Sequence, residues 1–178
     1  MLTGLVVIAA AVTASAQSAV PSSHHASARV CPTSQLQIRL ARSFVAAGNV
    51  GGYIAFVNRA GIACRLTGWP KLVAVTAAGR STTALRVRST MWGPHLAGVP
   101  VVTLRPGKAA GVAFAASDIS GPGQTRCPPP YRHLRVTPPG NTRPVMLSAW
   151  LHALNAYLPA CSRVTVTMVV RASDLKGA

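Results

Sequence analysis

Over residues 163–170 the chain reads Arg-Val-Thr-Val-Thr-Met-Val-Val, with Val164, Val166, Met168 and Val170 in one phase and Arg163, Thr165 and Thr167 in the other. A period of two in β-branched residues is the pattern of a strand with one buried face; a helix would scatter it around its circumference. Leu36, Ile38 and Leu40 alternate in the same way with Gln37 and Arg39, and Leu85 and Val87 with Arg86 and Arg88. Residues 53–57, 72–75, 101–104, 111–114 and 134–136 are further short apolar segments. Turn formers punctuate them: Asn58-Arg-Ala-Gly61, Ala78-Gly79, Pro106-Gly107 and Pro138-Pro-Gly140. Short, half-polar strands at this spacing predict an all-β fold, an immunoglobulin-like antiparallel β-sandwich. A short helix is expected only over residues 149–158, where Trp150, Leu154, Tyr157 and Leu158 recur at helical spacing.

With 178 residues the chain has room for one ordinary domain. It is 49% hydrophobic but only 5% aromatic, so its core must rest on Val, Leu, Ile and Ala. Leu5-Val-Val-Ile-Ala-Ala-Ala-Val12 is an apolar run too short to cross a bilayer, and Ala14-Ser15-Ala16 follows with small residues where signal peptidase needs them. Residues 1–16 therefore read as a signal peptide, 17–30 as a flexible leader, 31–171 as the sandwich domain and 172–178 as a polar tail. No transmembrane span is expected in the mature chain, which would be secreted or associated with the cell envelope. His24-His25, on the leader, is a weak metal site without further ligands.

Four cysteines in an exported chain imply a disulfide framework. Cys31, Cys64, Cys127 and Cys161 allow three pairings. Cys31 with Cys64 and Cys127 with Cys161 are neighbours along the chain, and each bridge would staple one half of the domain. Loops of that size stabilise by roughly 3–4 kcal/mol each on the chain-entropy model. No CxxC spacing is present, which disfavours zinc ribbons and thioredoxin-like redox chemistry.

Several of these pieces form a pattern. Phe56-Val-Asn58 and Gly61 precede Cys64-Arg-Leu66-Thr-Gly68-Trp69-Pro70; Val102-Thr-Leu104-Arg-Pro106-Gly107, Cys127, Leu134-Arg-Val136-Thr-Pro138-Pro139 and Cys161 follow. The constellation resembles a family of secreted actinobacterial domains of unknown function with a C-x-L-x-G-(aromatic)-P signature, over roughly residues 31–170. The resemblance implies an exported β-sandwich of the envelope and favours pairing Cys31 with Cys64 and Cys127 with Cys161. It carries no known activity and no functional residues. Asn58, Leu66, Gly68, Trp69 and Pro70 are its structural motif: Gly68 would adopt a left-handed backbone or permit close approach, Pro70 would end pairing at a sheet edge, and Trp69 would fold over the Cys64 disulfide as a lid.

Charge bounds the partners. There are 18 Lys and Arg against 2 acids, a formal net charge of +16. Such a chain is drawn to polyanions, here anionic lipid or cell-wall polymers. The cations are scattered, with Arg86-Val-Arg88 the densest cluster, and no nucleic-acid motif appears, so nucleic-acid binding would be nonspecific. The chemical inventory argues against an enzyme. Paired-carboxylate hydrolysis would need both Asp118 and Asp174; a serine triad would need Asp118, one of His95, His133 or His152, and a Ser, and no G-x-S-x-G elbow is present. No cofactor is expected. The leading expectation is a non-catalytic binding or structural module with a basic surface. The alternative is a copper or small-ligand carrier, for which Met91 and His95 are the weak candidate ligands. Met146 and Met168 read instead as core fillers.

Overall fold

The computed structural model describes residues 29–175. The expected signal peptide (residues 1–16), residues 17–28 of the expected leader, with His24 and His25, and residues 176–178 of the expected tail lie outside the described residues. A 3-10 turn, Thr33–Gln35, leads into β1 (Leu36–Ala46), β2 (Asn49–Asn58), β3 (Cys64–Thr67), β4 (Lys71–Thr76), β5 (Ser81–Thr83) and β6 (Leu85–Arg86). Then come β7 (Val101–Leu104), β8 (Ala109–Ser117), β9 (Tyr131–Thr137), β10 (Val145–Ser148), β11 (Trp150–Leu151), β12 (Ala156–Tyr157), β13 (Thr165–Val166) and β14 (Val170–Arg171). The described residues contain no α-helix.

Two sheets enclose the core. The first runs β1-β2-β8-β13-β6 with β14 also on β8; the second runs β10-β9-β4-β5; the pair β3-β7 closes one end. The pairings are antiparallel except β13 with β6. Alternation places the side chains: Leu36 and Ile38 are buried while Gln37 and Arg39 are exposed. Ile54, Phe56, Val112, Phe114 and Val166 from the first sheet meet Leu72, Ala74, Leu134 and Val136 from the second, with Leu66 and Leu104 at the end. Burying each of the Val, Leu, Ile and Phe side chains contributes about 1.5–3 kcal/mol before the entropy of ordering it is counted. The antiparallel sandwich expected from the alternation is the architecture found.

The outer face of the first sheet is also covered. Phe44, Trp92 and Leu96 pack there against Tyr53, Ala113, Val170 and Leu175. Trp92 stacks on Phe44 at 5.7 Å, and the Tyr53 hydroxyl donates to the Trp92 carbonyl at 2.8 Å. Burial pushes the Tyr53 phenol above its ordinary value, against a smaller opposite pull from Arg42. Gly51 makes the packing possible, because a Cβ there would lie 2.7 Å from the Trp92 ring.

Four details depart from the sequence reading. Residues 149–158 form a hairpin rather than a helix. Asn155 takes a left-handed φ of 53°, and Ala149 and Leu158 bond through their backbones to Arg132 and Tyr131, which requires extended chain. Trp150 and Tyr157, helically spaced in sequence, meet instead as cross-strand partners at 5.0 Å. Secondly, the strand at 163–170 is broken. Val166 opposes Phe114 and Val170 opposes Gly111, so 167–169 carry one residue more than β8 offers between those pairs. The Thr167 hydroxyl fills the gap by accepting from the Ala113 N–H at 3.0 Å. This bulge reverses the phase: Thr167 is buried, Val169 joins the main core, and Val170 faces the outer cluster. Thirdly, Met146 is 54% exposed, because its strand position turns it outward beside Arg135; Met168 is buried. Finally, the folded unit is longer at both ends than 31–171. Val30 bridges to Arg65, and the turn at Ala172–Asp174 seats Leu175 against Gly111.

The bridges are Cys31–Cys64 and Cys127–Cys161, with Cα atoms 4.9 and 4.5 Å apart. An asparagine stands on each side of the first. Asn58, fully buried, donates to the carbonyls of Ile62 at 2.8 Å and Leu104 at 3.0 Å and accepts from the Ala60 N–H at 2.9 Å. Leu104 is the cross-strand partner of Cys64. Asn141 donates to the Cys31 and Pro139 carbonyls at 2.9 and 3.0 Å and accepts from the Thr33 N–H at 2.9 Å. Replacing Asn58 by alanine leaves two carbonyls and an N–H without this partner and is expected to lower unfolding free energy by about 2–4 kcal/mol. Asn58→Asp, which turns an acceptor toward two carbonyls, should cost at least as much. Urea denaturation followed by far-UV circular dichroism reads both.

Candidate anion-binding groove

Strand β4 builds the floor of a broad open groove. Its even positions Leu72 and Ala74 enter the core, so Lys71, Val73 and Val75 face outward. Val73 pairs with Thr83 on one side and Arg135 on the other, and Lys71 pairs with Thr137. Although outward, Val73 is only 4% exposed, since it lies at the bottom of the groove among long polar side chains.

The head of the groove is the run that precedes β4. Gly68 has a φ of +86° with open space where a Cβ would stand, so glycine is required by backbone conformation rather than by crowding. Its carbonyl accepts from the Val169 N–H at 2.9 Å. The chain then reverses so that the Trp69 indole N–H donates to the Val87 carbonyl at 3.0 Å. Pro70 is buried behind it. On one flank the chain switches sheets: Ala84 still bonds to Leu72, but Leu85 bonds to Val164, and Arg86 emerges beside the groove. The other flank is Thr137-Pro138-Pro139-Gly140, pinned by Asn141, with Thr142 and Pro144 beyond.

The groove holds ≈ 610 Å³. Lys71, Arg86 and Arg135 line it, all solvent-exposed, and neither Asp118 nor Asp174 does. Three cations around one depression with no acid among them create an uncompensated positive potential. Such a site holds phosphate, sulfate or carboxylate groups by charge-assisted hydrogen bonds. It contains no carboxylate or imidazole to move a proton.

Residues 31–170 match a family described as a domain of unknown function, DUF4232. The chain belongs to the DUF4232 family. The matched DUF4232 span begins at the first cysteine of the Cys31–Cys64 bridge and ends on β14, and the groove lies within it. No curated protein and no solved structure matches the chain significantly. Among the described residues no helix is long and apolar enough to cross a membrane.

The DUF4232 domain places the sequence-derived candidates as follows. Leu66 is buried on β3 opposite Val102. Gly68, Trp69 and Pro70 form the groove head, with the Trp69 ring on the groove wall. Met91 and His95 are both exposed on the loop that covers the first sheet. No group of three or more His, Cys, Asp or Glu gathers among the described residues. Asp118 follows β8, His133 lies on β9 and His152 in the β11–β12 turn, so the triad candidates sit on different elements. Sequence reading missed the convergence of Lys71, Arg86 and Arg135, and the pinning role of Asn141. Replacing Gly68 by alanine is expected to cost about 1–2 kcal/mol through backbone strain alone. It should also move the Trp69 indole N–H resonance in a two-dimensional NMR spectrum, because that proton's bond to Val87 depends on the turn.

Proposed function

We propose that this chain is an exported, non-catalytic binding module of an actinobacterial cell envelope, holding anionic envelope components through the groove of Lys71, Arg86 and Arg135. The observation that carries the reading is the acid-free cationic lining of this groove, on a chain of net charge +16. Two disulfides suit an oxidising compartment outside the cytoplasm, and the apolar run at residues 5–12 supplies the export signal. The run from Cys64 to Pro70 serves as the structural signature that sets Trp69 and β4 in place. The remaining cations add a diffuse attraction, so no single distant arginine matters much, while the groove gives the attraction a focus.

Retention of the mature chain on anionic liposomes and on wall fragments, measured against ionic strength, tests this. Binding should be strong at low salt and fall steeply as salt rises. The triple variant Lys71→Ala, Arg86→Ala, Arg135→Ala should lose about tenfold or more in affinity and flatten the salt slope by about 2–3. A control triple that removes equal charge elsewhere, Arg59→Ala, Arg105→Ala, Lys108→Ala, should lose about threefold or less. Equal losses in the two triples would show that the groove has no special part; no retention at low salt would remove the reading altogether.

A further inference from the structure

The groove is not lined by charge alone. Trp69 forms its head, Val73 its floor, and buried Pro138 and Pro139 with exposed Pro144 one side, in the same lining as Lys71, Arg86 and Arg135. Trp69 has its only polar atom committed to the Val87 carbonyl. What it can offer a ligand is therefore the face of its ring, held at a fixed angle by that bond and by the buried Pro70 that follows. Val73 offers no polar atom either. A ligand that used only charge would leave the half-buried Trp69 ring and the exposed Pro144 facing water.

Resting on the basic-groove reading above, we propose that the groove binds a phosphodiester-linked saccharide polymer. One sugar ring lays its C–H face on Trp69, above the Val73 floor, and the phosphates on either side of it meet Lys71, Arg86 and Arg135. Sugar rings carry an apolar face that stacks on an indole, and a phosphodiester supplies a full negative charge at every repeat. Cationic and apolar groups share this lining, as phosphate and sugar share such a polymer. Its cations are exposed and its rim includes exposed Gly140, Thr142 and Pro144, so the site is a trough that a long chain can cross rather than a closed chamber. A lipid surface is too flat to reach Val73 at the bottom. Single-stranded nucleic acid is read by successive aromatic platforms, one per base, whereas Trp69 is the one aromatic in this lining.

The test uses the full mature chain and four probes at one ionic strength: a base-free polymer of hexopyranose rings linked by phosphodiesters (the sugar–phosphate polymer), polyphosphate of matched charge, oligo(dT) of matched charge, and anionic vesicles. Titration calorimetry should give the sugar–phosphate polymer about tenfold tighter binding than polyphosphate or oligo(dT). Saturation-transfer NMR on the unmodified protein should show magnetisation reaching the ring C–H protons of the sugar. Trp69→Ala should remove both the tenfold preference and the transfer while leaving polyphosphate affinity within about twofold. If that variant fails to fold by circular dichroism, Trp69→Phe, which keeps a stacking face, should keep part of the preference, and the saturation-transfer result decides alone. Equal affinity for the three polyanions, tighter binding of oligo(dT), or an unchanged preference in folded Trp69→Ala overturns the saccharide assignment while the basic groove stands. Failure of all four probes to bind removes both.

Discussion

The Cys31–Cys64 bridge, held between two asparagine side chains, is the constraint around which the sandwich is organised. It joins the start of the folded chain to β3, the short strand that closes one end of the core. Asn58 ties the turn after β2 to Leu104, directly across from Cys64, and Asn141 ties the loop after β9 to the Cys31 carbonyl. Distant segments thus meet at one covalent link, and each amide bonds backbone groups of turns and strand ends around it. A domain with so few aromatics lacks the large packing units that usually fix such a corner, and the cross-link with its polar clamps takes their place.

That corner also shapes the surface. Asn141 holds Pro139 as well as Cys31, so the flank of the groove is braced by the same residue that braces the bridge. The opposite flank depends on the strand that leaves one sheet at Ala84 and joins the other at Leu85. Cations from both layers are thereby presented around Val73 without any acid to offset them. The mutual repulsion this creates is a standing cost to stability, and a bound anion would relieve it.

Much of this architecture was legible in the residues. The alternation at Leu36, Ile38 and Leu40 gives the buried face of β1 correctly, and the Pro-Gly turns fall between strands as read. The reading failed where a backbone irregularity changed the phase. Nothing in Thr165-Val-Thr-Met-Val announces that Thr167 will offer its hydroxyl in place of a carbonyl, because that depends on where Ala113 lies. Trp150 and Tyr157 mimic a helical face, yet they are hairpin partners, and only the left-handed Asn155 between them distinguishes the two. The groove was hidden for a related reason. Lys71, Arg86 and Arg135 each read as an ordinary outward position, and their meeting is a product of strand order, which period-two patterns do not encode. Trp69 stood out by its motif, but its partner, the Val87 carbonyl, belongs to a segment read only as a strand.

The two bridges are consecutive along the chain: the first is closed before Cys127 is reached, and neither encloses a cysteine of the other. A polypeptide that threads out of a membrane amino-terminus first would present Cys31 and Cys64 to its oxidant while the other two sulfurs are still inside. At that moment only one partnership exists to be formed. In a chain exported that way, correct cross-linking would follow from order of emergence, without a step that reshuffles wrong pairs.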